Sequence, residues 1–189
     1  MMDARMKQQK DYPRAMQSYV YMLYEFILEL RPKNVLEIGV QNGQSTKTML
    51  MAMNELKSGR LVSIDHKRRQ TILDADYPDL AGYWHFIQGS SHDPLSLQAA
   101  KDALPEGELY DVFFIDGDHK YPGVKQDFYE YTPLVKPGGI ILLHDIINQN
   151  EGVKDLWAEI TWEKFGIDWG RARNHVIPGF GIVRKPLNI

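Results

Sequence analysis

The chain has 189 residues, 43% hydrophobic and 25% charged, with a formal net charge of -3 and no cysteine. That length holds one domain with a sizeable core and little beside it. Disulfides, thiolate metal sites and cysteine nucleophiles are excluded, the charge balance gives no footprint for nucleic acid or an anionic membrane, and no apolar run has the length of a membrane span.

Met1 to Lys10 is polar and charged and lacks the apolar core of a secretory signal, so a cytoplasmic protein is expected. Asp11-Tyr12-Pro13 reads as a helix start, with Asp11 as N-cap. From Arg14 to Leu30, Tyr19, Leu23, Phe26, Ile27 and Leu30 recur at helical spacing, and Arg31-Pro32-Lys33 stops the helix. The pattern then alternates. Apolar runs at Val35–Ile38, Leu61–Ile64, Tyr83–Ile87, Val112–Ile115 and Ile140–Leu143 predict buried strands. Between and after them, Ser45–Leu56, Arg68–Leu73, Pro94–Leu104, Tyr121–Leu134 and Gly152–Phe165 predict helices, several stopped by Gly or Pro. Last, His175–Ile177 and Gly181–Arg184 flank Pro178-Gly179-Phe180 as a hairpin.

Short apolar strands separated by helices predict an α/β fold: a Rossmann-like, doubly wound, mostly parallel seven-stranded sheet with helices on both faces and a C-terminal antiparallel hairpin. Residues 1–189 read as a single domain, with 1–31 as an N-terminal helical cap and 32–189 as the core.

In such a sheet, ligands bind beyond the carboxyl ends of the strands, near the switch in strand order. The residues there are Glu37 to Gly43, Asp65-His66, Gln88 to Asp93, Asp116 to Tyr121, and His144-Asp145. Most of the chemically capable side chains therefore fall on one edge. Gly39 lets backbone approach a ligand closely, the following helix offers free N–H groups to an anion, and a carboxylate at Asp65 can accept both hydroxyls of a ribose. Together these point to a nucleoside ligand; either residue alone fits an ordinary turn equally well.

The dinucleotide fingerprint G-x-G-x-x-G is absent, because Gln41 stands where its second glycine would be. The pattern Glu37-x-Gly39-x-x-x-Gly43 instead resembles the first motif of the class I S-adenosylmethionine-dependent methyltransferases, as does the terminal hairpin. Phe114 to Tyr121, Lys136-Pro137-Gly138-Gly139 and Leu143-His144-Asp145 are similar to the "methyltransferase domain 24" subgroup, related to catechol and caffeoyl-CoA O-methyltransferases.

That resemblance implies S-adenosylmethionine as cofactor. Glu37 would hold its methionine amino end, Asp65 its ribose, His66 and Ser90 or Ser91 its adenine, with Gly39, Val40, Gln41, Gly43 and Ser45 completing the cofactor loop. Asp116 would stand by the methyl group and its acceptor, a small molecule with a hydroxyl oxygen. His119 is the preferred general base and Lys120 the runner-up if its amine is desolvated; a helix-capping role fits His119 equally. The related catechol-type enzymes hold a divalent ion after strands four and five, which implies Asp116, His144 and Asp145 as metal ligands. His144 stands where that family usually has a carboxylate, and a nitrogen ligand suits zinc, iron or manganese better than magnesium. Without a metal, Asp116 would orient the acceptor while His144-Asp145 closes a turn.

His92 and Asp93 read as local turn contacts. Trp157, Trp162 and Trp169 form either an aromatic lid or packing onto the sheet, and packing is favoured for Trp157. The helix bearing Tyr19, Tyr21 and Tyr24, with Tyr12 ahead of it, either covers the site or forms a contact in a homo-oligomer. An NAD(P)-type oxidoreductase and a non-catalytic S-adenosylmethionine-binding protein stay as competing readings; nucleic acid and membrane are not expected partners.

Overall fold

The computed structural model describes residues 14–67, 78–148, 152–168, 171–172, 175–176 and 179–188. The expected helix start at Asp11 to Pro13 and the expected helix Arg68–Leu73 lie outside them, as do Tyr12, Trp169, Ile177 and Pro178. In chain order the elements are α1 (Arg14–Leu30), β1 (Asn34–Ile38), α2 (Gln44–Leu56), β2 (Arg60–Asp65), β3 (Trp84–Gln88), α3 (Pro94–Asp102), β4 (Tyr110–Ile115), α4 (Tyr121–Tyr131), β5 (Val135–His144), α5 (Val153–Glu159), β6 (Lys164–Ile167), β7 (Arg171–Ala172), β8 (His175–Val176) and β9 (Phe180–Arg184).

The main sheet has seven strands in the order β3-β2-β1-β4-β5-β9-β6. The first five are parallel, and β9 runs antiparallel between β5 and β6. Strand order reverses between β1 and β4, the neighbours whose loops carry Gly39 and Asp116. The central strands are buried because helices cover both faces. Val112 and Phe114 of β4 face α1 and α2, while Phe113 and Ile115 face the core shared by α3, α4 and α5, the period-two alternation of a strand.

Local chemistry sets the element ends. Asp93 caps α3 by accepting the Leu95 N–H at 2.9 Å, with Pro94 in the first turn. Lys57 ends α2 in a left-handed conformation. Along α1, Tyr19, Val20, Leu23, Tyr24 and Ile27 are buried against α2, whereas Leu30 is exposed, so this helix joins the core of the sheet.

The C-terminal region departs from the sequence reading. The antiparallel end exists, but β9 pairs with β5 and with Lys164–Ile167, not with His175–Ile177. His175 and Val176 pair with Arg171 and Ala172 in a separate two-stranded sheet. The expected helix Gly152–Phe165 ends at Glu159. Ile160 turns extended, and the Lys164 ammonium caps the helix by donating to the Trp157 and Ile160 carbonyls. β5 also starts earlier than expected, running through Pro137-Gly138-Gly139 with a register shift opposite Tyr110 and Val112; Gly138 has φ 76° there. No helix among the described residues is long and apolar enough to cross a membrane.

Candidate active site

A cavity of about 790 Å³ opens beyond the carboxyl ends of β1 to β4. Of the residues expected to bind cofactor, Gly39, Gln41, Asp65, His66, Ser90, Ser91 and Asp116 line it, with His119 beside Asp116. Glu37, Val40, Gly43 and Ser45 do not line it, nor does Lys120, which is exposed at the start of α4. The sequence reading missed Lys67, Gly89, Gly117 and Asp118 in the wall and assigned His92 only a local turn contact.

The glycine loop is shaped from within. Gly39 has φ 91°, and a Cβ there would overlap the Asp116 carbonyl. Its bare α-carbon thus serves the seam between the β1 and β4 loops, where ligand approach was expected to be the reason. Gln41, in the position of the missing glycine, takes the left-handed region at φ 46°, and Gly43 does so at φ 71° as the residue before α2. Asp65 ties this loop to β2: its Oδ2 accepts the Val40 and Gln41 N–H groups at 2.8 and 2.9 Å, and its Oδ1 accepts from Lys67 N–H at 3.1 Å. Burial opposes its charge, but the donors of Gln41, Lys67 and Val40 outweigh that and hold the carboxyl below the usual aspartate value.

Glu37 lies beneath the loop, not at its surface. Its carboxylate is fully buried and accepts hydroxyls from Ser45, Thr46 and Ser63 at 2.6, 2.7 and 2.6 Å. Ser63 in turn accepts the Trp84 indole N–H at 3.0 Å. Burial, the largest influence, pushes Glu37 from 4.5 up to about 7 against those hydroxyls. Glu37 and Ser45 therefore brace α2 on the sheet in this structure instead of reaching a ligand.

At the other end of the cavity two carboxylates and two imidazoles close a ring. His119 Nε2 is 3.1 Å from Asp116 Oδ1, and its Nδ1 is 3.3 Å from Asp145 Oδ2. His144 Nδ1 is 3.2 Å from each of the same two oxygens. Both ring nitrogens of His144 are buried without a well-formed hydrogen bond, and the Tyr19 ring of α1 lies against it at 4.7 Å. Burial works against charge on His144, but Asp116 and Asp145 push its pKa up to about 10. Asp116 moves the other way: burial raises it, and the neighbouring His144 and His119 more than reverse this. Asp145 holds φ 64° while buried, a conformation that side chains other than glycine adopt at a cost.

One donor atom each of Asp116, His144 and Asp145 lie within 4.8 Å of one another. Two carboxylates with an imidazole whose nitrogens lack hydrogen bonds fit a divalent cation, and the mixed set suits manganese, iron or zinc better than magnesium.

Trp157 and Trp162 pack rather than cover. Trp157 lies on Gly166 and Gly181, and Trp162 lies 5.6 Å from the Phe128 ring of α4.

Residues 36–146 match a family described as a methyltransferase domain. The fold is similar to that of an O-methyltransferase from Bacillus cereus in complex with SAH (TM-score 0.69, 20% identity, 89% of this chain and 80% of that one). It is also similar to the O-methyltransferase TomG from Streptomyces achromogenes, involved in tomaymycin synthesis, in complex with SAM (0.66, 16%, 89% and 80%). An rRNA methylase from Streptococcus thermophilus shares the fold as well (0.64, 12%, 88% and 96%). Among curated proteins, the uncharacterized protein y4gI of Sinorhizobium fredii is 34% identical over 58 residues, 30% of this chain; the match spans 6% of that protein's length.

Proposed function

The chain belongs to the methyltransferase domain family, and from that premise we propose that it transfers the methyl group of S-adenosylmethionine to a hydroxyl oxygen of a small molecule. The observation that carries this reading is the single cavity wall running from Asp65 on the glycine loop to Asp116 and His119. A nucleoside held by Asp65 at one end of that wall leaves its sulfonium end facing the carboxylate–imidazole ring at the other.

The methyl carbon leaves the sulfonium sulfur as the acceptor oxygen bonds to it in line. The C–S electron pair stays on sulfur, giving S-adenosylhomocysteine, and the acceptor's proton passes to a base. Positioning supplies most of the acceleration, and proton removal adds to it. His119 serves as that base when the acceptor hydroxyl replaces one of the two carboxylates as its partner, since Asp116 and Asp145 engage both its nitrogens. Asp116, held ionised by the imidazoles, orients the hydroxyl and stabilises the resulting imidazolium. A divalent cation held by Asp116, His144 and Asp145 would lower the pKa of a bound acceptor hydroxyl. Lys120, exposed and outside the cavity wall, has no part in this scheme.

The test is calorimetric titration with S-adenosylmethionine, S-adenosylhomocysteine and NAD, followed by methyl transfer from labelled cofactor to a panel of phenols, catechols and sugar hydroxyls. Micromolar binding of the two S-adenosyl ligands with transfer to a hydroxyl acceptor is expected. Binding of NAD alone overturns the reading, and S-adenosyl binding with transfer to no acceptor makes the chain a binding protein.

A further inference from the structure

The cavity contains a second carboxylate–imidazole pair, apart from the ring at Asp116. His92, in the loop after β3, lines the cavity with its side chain 31% exposed, and its Nε2 lies 3.3 Å from Oδ1 of Asp127 on α4. Asp127 is 0% exposed, and neither of its oxygens has a well-formed hydrogen bond. Its Oδ2 sits directly behind Gly117, where a Cβ would be 3.3 Å away. A buried carboxylate without good partners is costly unless something in the fold uses it, and the side chain aimed at it is the one that faces the cavity.

The loop bearing His92 is built, not loose. Tyr131, fully buried, donates its hydroxyl to the Ser91 carbonyl at 2.8 Å. Asp93 N–H donates to the Ser90 carbonyl at 3.0 Å, and His92 N–H donates to Ser90 Oγ at 3.2 Å. The local turn contact expected for His92 is thus made by its backbone, which leaves the ring for Asp127.

The strand order gives the ring a ligand. From β3 through β2 and β1 to β4, the loops present His92, then Asp65, then Gly39, then Asp116. If the ribose lies at Asp65 and the sulfonium toward Asp116, the base lies against the β3 loop. A carboxylate at Nε2 fixes the imidazole as the Nε2–H tautomer, so Nδ1 presents a lone pair to the cavity. We infer that His92, its tautomer set by Asp127, selects a 6-aminopurine by accepting its exocyclic N–H and disfavours a 6-oxopurine, which presents another acceptor there. His92 is then a specificity residue and Asp127 a positioning residue acting through it. This rests on reading the cavity as a site for S-adenosylmethionine.

The experiment compares S-adenosylhomocysteine with its deaminated analogue S-inosylhomocysteine by calorimetry, on wild type, His92→Ala, His92→Gln and Asp127→Asn. Wild type is expected to prefer the 6-amino ligand by tenfold or more. His92→Ala brings the two affinities within about threefold, chiefly by weakening the 6-amino ligand, and His92→Gln, whose amide oxygen can accept, recovers most of the preference. Asp127→Asn, which can donate to Nε2 and release the other tautomer, loses it as well. If Asp127→Asn fails to fold, the two His92 variants decide. An unchanged preference in His92→Ala overturns the inference alone; failure of wild type to bind either ligand overturns the cavity reading with it.

Discussion

Gly39 and Asp116 meet so closely that a side chain on the first would occupy the carbonyl of the second. This contact joins the β1 and β4 loops at the reversal of strand order, and the Gly39 N–H also donates to the Ile64 carbonyl at 3.0 Å. Gly39→Ala adds a methyl group at positive φ against unyielding backbone. The expected cost is about 2–4 kcal/mol, from the left-handed penalty and overpacking together. Because relief can come only by spreading the two loops, S-adenosylhomocysteine affinity falls with stability. Chemical denaturation and calorimetry check both, and a variant of wild-type stability would remove the close approach as the reason for this glycine.

Glu37 gives a prediction with a defined pH window. Its folded value of about 7 lies above the ordinary 4.5, so the fold favours the protonated form. Its contribution to stability is fully present below about pH 4.5 and is lost as pH rises through 7. At 1.36 kcal/mol per pKa unit the loss is on the order of 3 kcal/mol. Glu37→Gln keeps the shape and removes the titration. Urea unfolding at pH 5 and pH 8 is expected to show the variant gaining on wild type by about that amount at the higher pH. Parallel curves for the two proteins would mean that Glu37 is ionised in the folded state at both.

The ring of Asp116, His119, His144 and Asp145 predicts a metal preference. With its imidazole, the wild-type donor set is expected to bind manganese or zinc at least tenfold more tightly than magnesium in calorimetric titration, whereas His144→Asp makes the set all oxygen and reverses the order. Metal binding also requires a deprotonated His144, which Asp116 and Asp145 hold at a raised pKa of about 10, so wild-type affinity climbs with pH more steeply than that of His144→Asp. Absence of binding by any of the three ions would leave the ring a purely protonic device.

Much of this arrangement is legible in the sequence, and the parts that are not have physical causes. The buried runs of β1, β2 and β4 announce themselves because both faces are covered, and a parallel sheet brings all their tips to one edge; hence Gly39, Asp65, Asp116, His119, His144 and Asp145 could be named together. Glu37 and Ser45 lie in the same loop, yet their side chains point away from the cavity, which spacing cannot reveal. The pairing of His92 with Asp127 joins residues on different elements through tertiary packing alone. Lys164–Ile167 escapes because four residues after a helix carry no period of their own; they become a strand only because β9 offers an edge.

The glycines of that edge support the last prediction. Gly166 and Gly181 are register partners of β6 and β9, and Trp157 lies across both; a Cβ on Gly181 would be 2.7 Å from its ring and 2.9 Å from Ile146. The Lys164 ammonium lies 4.9 Å from the centre of the Trp157 ring and donates to the Trp157 carbonyl, pinning helix to strand. Gly181→Ala must lift the indole off the sheet, at about 1–3 kcal/mol, or roughly 2–4 °C in Tm per kcal/mol for a chain of this size. If Trp157 packs the helix and does not cover an acceptor, thermal stability falls while the affinity for S-adenosylhomocysteine and the KM for the acceptor stay at wild-type values. A variant that kept its Tm but raised that KM would restore the lid.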